Sequence, residues 1–257
     1  MKAFLVPLAA LAMMILTGAP LCAQEDVVAG LSQDRIDITA DFDGSDILIY
    51  GAVKRETPLP DGPLDVIITV EGPSEPENVR RKSRVVGVWL NTDVVTIDLA
   101  PSFYAVATTG PFTEIVSDTE DLRYSISIPR AIRSVGAPQT VENSQEFTDA
   151  LIRLRTQRGL YALNEGGIRL TEQTLFRTDI DLPANLVEGN YTTRIFLLRD
   201  RRVVSLYEKT IFVRKVGLER WLFRLAHQQP AVYGILALVI AAVAGWTASA
   251  VFRLIRR

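Results

Sequence analysis

From Ala231 to Phe252 the chain reads AVYGILALVIAAVAGWTASAVF without one charged side chain, and Arg253, Arg256 and Arg257 follow it to the end. As a helix these 22 residues rise about 33 Å, enough to cross a hydrocarbon core of ~30 Å. That constrains every other reading. The predicted membrane helix is 230–252 and the tail 253–257, so the preceding residues must fold beside a bilayer. The span carries a small-residue stripe, Ala237, Ala241, Gly245 and Ser249, spaced by four so that all share one helix face. Such a stripe admits a partner helix closely, although alanine is also common in spans for its own sake.

A second apolar stretch opens the chain. Lys2 precedes Ala3 to Leu16, Thr17-Gly18-Ala19-Pro20 breaks the run, and Ala23 stands before Gln24-Glu25-Asp26. This is the layout of a secretory signal peptide over 1–23, with an apolar core short for a span. Leu21 occupies the place where a lipoprotein signal needs a small residue, which argues against lipid attachment at Cys22. Cys22 is the only cysteine, so a chain cleaved after Ala23 has none. The expected topology puts the intervening residues outside and the C-terminus inside, in agreement with the trailing arginines. Setting aside Lys2 and those three arginines leaves 24 basic against 30 acidic residues, a net charge of −6. A mildly acidic exported domain does not suit nucleic acid.

The exported part reads as mainly β. Arg35 to Ala40 alternates, Ile47 to Val53 and Leu64 to Val70 are more continuously apolar, and Pro/Gly/Asp turns separate them. Further strands are predicted over Ser83 to Leu90, Val94 to Leu99, Ser102 to Ala107, Thr174 to Leu182, Asn190 to Leu198 and Val203 to Val213. The pattern predicts an immunoglobulin-like β-sandwich, arranged as a first β unit over 24–110 and a second over 166–216. A segment over 111–165 connects them. It holds one amphipathic helix, opened by Ser144 and stopped by Gly159, with Phe147, Leu151 and Leu154 on one face and Arg153, Arg155 and Arg158 solvated. Tyr191 follows Glu188-Gly189-Asn190, where sandwich domains place a buried tyrosine at a late strand. Phe103 and Tyr104 are adjacent, so they face opposite sides of one strand. A juxtamembrane helix is predicted over 217–229, with Trp221 and His227 at the interface.

Catalytic residue types are scarce. His227 is the only histidine and lies at the membrane boundary. With no mature cysteine, that excludes thiol catalysis and His/Cys zinc chemistry, and points away from an enzyme. No cofactor or metal site is predicted. Asp41, Asp43 and Asp46 surround Gly44, but the run lacks the rest of a calcium loop and reads as a turn. Arg80-Arg81-Lys82-Ser83-Arg84 is the densest basic run. It reads either as a charged edge strand protected against aggregation or as a patch for anionic lipid or an acidic partner.

Several passages together resemble one family of alphaproteobacterial transmembrane proteins, Alph_Pro_TM. They are Gly30-Leu31-Ser32 with Ile36-Asp37-Ile38-Thr39, Phe42-x-Gly44, Tyr50-Gly51-Ala52, Gly87-x-Trp89-x-Asn91, Pro101 to Ala107, Leu182-Pro183-Ala184 with Gly189-x-Tyr191, and Gly245-Trp246. The resemblance implies a single-pass inner-membrane protein with a periplasmic domain. It brings no catalytic residues. It implies a membrane transporter, a sulfite-exporter-type permease, as a partner. The expectation is a non-enzymatic interaction domain, an accessory subunit of such a transporter. The alternative is a tethered periplasmic domain that binds a small ligand or ion.

Overall fold

The computed structural model describes residues 25–39, 42–55, 62–134, 144–216 and 225–255. The predicted signal peptide, Cys22, Asp41, Trp221 and most of the predicted juxtamembrane helix lie outside the described residues. Two sheets carry the fold. The first is four-stranded, in the order β1 (Glu25–Leu31), β3 (Gly44–Arg55), β10 (Leu175–Pro183) and β9 (Arg169–Thr171). The second is six-stranded. It runs β2 (Arg35–Ile38), β12 (Arg202–Lys215), β11 (Gly189–Arg199), β4 (Leu64–Glu71), β7 (Tyr104–Thr108) and β8 (Tyr161–Asn164).

These strands form where the sequence alternates, and they bury the apolar half. In β10, Phe176, Ile180 and Leu182 point inward while Arg177, Asp179 and Asp181 point out. They meet Ile47 and Ile49 of their own sheet and Val66, Ile68 and Val70 of the facing β4 in one cluster. Each such side chain contributes roughly 1.5–3 kcal/mol on full burial. The continuous apolar run of β4 has a different cause, because the six-stranded sheet is covered on both faces. Ile67, with Val106, Phe196 and Leu198, packs on the second face under a helical layer. The same geometry settles the adjacent aromatics. Phe103 lies between the sheets, 6.1 Å from the Tyr191 ring, and Tyr104 lies under the helices. Both are fully buried. Tyr191 closes the sandwich as expected, its hydroxyl donating to the Val187 carbonyl at 2.9 Å.

The helical layer holds α1 (Phe112–Ile115), α2 (Asp118–Tyr124), α3 (Ile128–Ala131) and α4 (Ser144–Gln157). Only α4 is periodic enough to be read from sequence. The others are a turn or two long, and local caps define them. Ser117 accepts the Glu120 N–H at 3.4 Å, and the Asp121 carboxylate accepts the N–H groups of Ile126 and Ser127 at 3.1 and 2.7 Å. Gly159, at φ +71°, lets α4 end with the Leu160 N–H on the Arg155 carbonyl.

One expectation about α4 needs correction. Arg155 is not part of a solvated face: its side chain is 12% exposed, pairs with Glu77 at 3.1 Å, donates to the Pro101 carbonyl and stacks on Tyr161. A guanidinium can bury its stem and planar face while its edge finds acceptors. Leu154, expected on the apolar face, is 44% exposed.

Strands from before and after the helical layer interleave. β3 pairs with β10 and β4 pairs with β11, so residues 24–110 and 166–216 contribute to both sheets and share one core. The predicted strand over Ser83 to Leu90 is also corrected. It contains a two-residue turn at Val86-Gly87, which joins β5 (Ser74–Val85) to β6 (Val88–Pro101) as a separate long hairpin. Beyond the domain, α5 (Pro230–Ile255) is the apolar helix, and Pro230–Ser249 is long and apolar enough to cross a membrane. Pro230 opens the helix, where its missing N–H costs nothing.

Candidate functional site

The structure sorts the residues singled out from sequence. Ala237, Ala241, Gly245 and Ser249 all lie on exposed turns of α5, and an added Cβ at Gly245 would meet nothing within 4 Å. His227 is exposed in the short helical turn before Pro230. Asp46 lies near the start of β3, directly opposite Asp181, and both are exposed. Among the described residues no group of three or more His, Cys, Asp or Glu is placed to hold a metal.

Buried polar groups in the domain serve the fold. Glu25 is the largest case, and nothing local in sequence signals it. Its carboxylate accepts from Arg199 at 2.8 and 2.9 Å and from Arg55 at 2.7 Å, with only 3% of its side chain exposed. The hydrogen bonds from Arg199 hold this carboxyl below its ordinary range. Burial opposes it, and the hydrogen bond from Arg55 adds to the lowering. Arg194 is the counterpart under the helices, reaching the Tyr124 carbonyl at 2.7 Å and the Tyr104 hydroxyl at 3.0 Å. Burial pushes the phenols of Tyr104 and Tyr161 up to about 12. Arg194 also lines a small cleft with Glu71, Arg130 and Arg133, and pairs with Glu71 at 3.8 Å.

Two exposed apolar surfaces stand out among the described residues. The first is the outer face of the four-stranded sheet. Val28, Ala52 and Leu175 stand in one row across β1, β3 and β10, and Gly30, Tyr50 and Arg177 form the next. Val28 is 59% exposed, Tyr50 49% and Leu175 57%. The Tyr50 ring lies over Gly30, where a Cβ would come within 2.8 Å of it. The small residues leave a shallow apolar cleft of 620 Å³ beside the tyrosine. A contiguous apolar patch rimmed by Arg169 and Arg177 has the composition of a contact surface.

The second surface is the β5–β6 arm. Its base is packed: Val95 and Ile97 are fully buried, and Arg81 is held by Asp93 at 2.9 Å and sits over the Phe147 ring of α4. Its distal half is open. Val86 is 98% exposed, Val88 60%, Trp89 66% and Leu90 49%. Trp89 was legible only as part of the Gly87-x-Trp89-x-Asn91 passage, because the turn that exposes it carries no Asn-Gly or Asp-Gly signature. Val86 has φ +50° and Gly87 φ +85°, the left-handed pair of a type I′ turn. A β-branched residue is strained there. Val86→Asn is therefore expected to stabilise the hairpin by about 1 kcal/mol, measured by denaturant unfolding of the full chain in detergent.

No curated protein matches the sequence. The family described as "Putative transmembrane protein (Alph_Pro_TM)" matches residues 26–254, which takes in both sheets, the arm, the helical layer and the apolar helix. The chain therefore belongs to the Alph_Pro_TM transmembrane family.

Proposed function

We propose that this chain is a non-catalytic, single-pass inner-membrane protein whose β-sandwich lies in the periplasm and binds a polytopic membrane protein as an accessory subunit. A transporter of the sulfite-exporter permease type is the partner class the sequence resemblance implies. The observation that supports this best is the outer face of the four-stranded sheet, where Val28, Tyr50 and Leu175 are exposed together around small residues. Leaving that much apolar surface in water is unfavourable, and a partner that covers it recovers the loss. The Ala237, Ala241, Gly245, Ser249 stripe supplies a second contact within the bilayer.

Two variants test the reading. Tyr50→Glu with Leu175→Asp places charges on the patch without touching the core, and Ala241→Leu with Gly245→Leu fills the stripe. Each is expected to reduce recovery of a co-purifying polytopic protein about tenfold or more, since one lost buried anchor costs 2 kcal/mol or more. Folding, read by circular dichroism in mild detergent, is expected to stay at the level of the unmodified chain. Undiminished co-purification with both variants would overturn the reading.

A further inference from the structure

We propose that the distal half of the β5–β6 arm is a membrane-contacting element, which seats Val86, Val88 and Trp89 in the headgroup region of the bilayer that α5 crosses and holds anionic phospholipid with Arg80, Lys82 and Arg84. The inference stands apart from the partner reading, because it needs only a membrane beside the domain.

Charge is the first support. Residues 80–93 hold four basic side chains and one acidic one, a net of +3 in an exported region whose net is −6. Arg81 and Asp93 neutralise each other at 2.9 Å, and Arg81 faces α4. Arg80, Lys82 and Arg84 alternate along β5, so they share the opposite face, and all three are exposed. Trp89 stands on that same face, directly across the ladder from Arg84. A basic face with an exposed tryptophan and an apolar apex matches the order of a membrane interface: headgroup charge outside, aromatic ring at the boundary, aliphatic groups deepest.

The apex is the second support. A type I′ turn favours Asn or Asp where Val86 stands, and either would be better hydrated and less strained. An apolar residue that is 98% exposed is costly unless its surroundings are apolar, and its left-handed φ is a strain that Asn or Asp would relieve.

Topology is the third. β4 and β12 are both antiparallel to β11, so they run the same way and end at the same edge of the six-stranded sheet. The arm leaves that edge at Ser74, and the chain leaves it after Lys215 on its way to Pro230. The intervening residues reach at most about 50 Å, and the arm is about 40 Å long at 3.3 Å per residue. The tip is therefore within reach of the surface that anchors the chain.

The test uses the full chain in vesicles, in a Cys22→Ser background, with an environment-sensitive nitrobenzoxadiazole label on Val86→Cys. Arg202→Cys, beside the β11–β12 turn at the opposite edge of the sheet, is the control position. In vesicles containing phosphatidylglycerol the label at 86 is expected to shift to the blue and to be quenched by lipid-borne spin labels, and the label at 202 is not. In phosphatidylcholine alone the effect is expected to weaken. Combined Arg80→Glu, Lys82→Glu and Arg84→Glu should reduce insertion roughly fivefold or more per charge lost. A label at 86 that stays in water in both membranes would overturn the proposal. So would a blue shift that ignores lipid charge and the charge reversal but fades as the protein is diluted in the membrane, which would assign the tip to a second copy of the chain. A shift of that kind that dilution leaves unchanged would overturn it too, because the tip would then be packed against protein.

Discussion

Replacing Glu25 by alanine is expected to lower the stability of the domain by about 3–5 kcal/mol, the cost of breaking a buried ion pair from one side. Glu25 sits on the edge strand β1, directly opposite Arg55 in β3, and Arg199 reaches it from the end of β11 in the other sheet. The carboxylate is thus the one anion between two guanidiniums whose side chains are 8% and 10% exposed. Arg199 also donates to the Gly62 carbonyl at 2.6 Å, and Arg55 to Thr174 at 3.2 Å, so neither can swing out without a further loss. Removing Glu25 leaves two like charges facing each other in a space closed to water. The pH dependence follows from the lowered pKa. The ionised, paired form is fully stabilising above the unfolded carboxylate value of about 4.3. That stability is lost as the pH falls through the lower folded value. The difference between the native chain and Glu25→Ala should therefore be large near neutral pH and shrink in acid. Denaturant unfolding in detergent at both pH values measures it. An equal difference at both would show that packing, not the ion pair, sets the cost.

Arg194→Ala is expected to cost about 3 kcal/mol and to loosen the helical layer while leaving the sandwich intact. The guanidinium donates to the carbonyls of Tyr124 and Ser125 at 2.7 and 3.2 Å, where α2 ends and Ser125 takes a left-handed φ of 50°. It also donates to the Tyr104 hydroxyl, which in turn donates to the Ile126 carbonyl at 2.8 Å. Arg194 lies over the Phe196 ring at 5.4 Å, so its loss also opens packing. Charged hydrogen bonds contribute about 1.5–3 kcal/mol each, and the orphaned acceptors add a penalty. Alanine removes several together, and local relaxation recovers part. Hydrogen exchange should quicken across 112–131 and remain slow in β3 and β10. Uniform quickening would mean that the helices and the sandwich unfold as one unit.

Much of this fold was legible because burial and periodicity coincide. β10 alternates as its sequence does, β4 carries the apolar run Val66 to Ile68 because both of its faces are covered, and the C-terminal helix announces itself by composition. What was not legible has physical reasons. α1, α2 and α3 are too short for a helical period and depend on Ser117 and Asp121 as caps. The turn at Val86-Gly87 carries Val where Asn, Asp or Gly is usual, so the strand signal on either side runs together and hides the arm. Glu25 and Arg199 lie 174 positions apart, and no local pattern reports such a pair. The outer patch was hidden for a similar reason. Val28, Ala52 and Leu175 become neighbours only through the β1-β3-β10 pairing, which aligns three distant stretches. The small-residue stripe, a one-dimensional pattern, was readable at once.

The most direct measurement of the central claim is photo-crosslinking from position 50 in native membranes, with a benzophenone amino acid in place of Tyr50 and mass spectrometry of the adduct. The account predicts a single major adduct with a polytopic membrane protein, lost when Leu175→Asp is added. An adduct with lipid alone, with a second copy of this chain, or none at all while the fold is intact would contradict an accessory role for the outer sheet face.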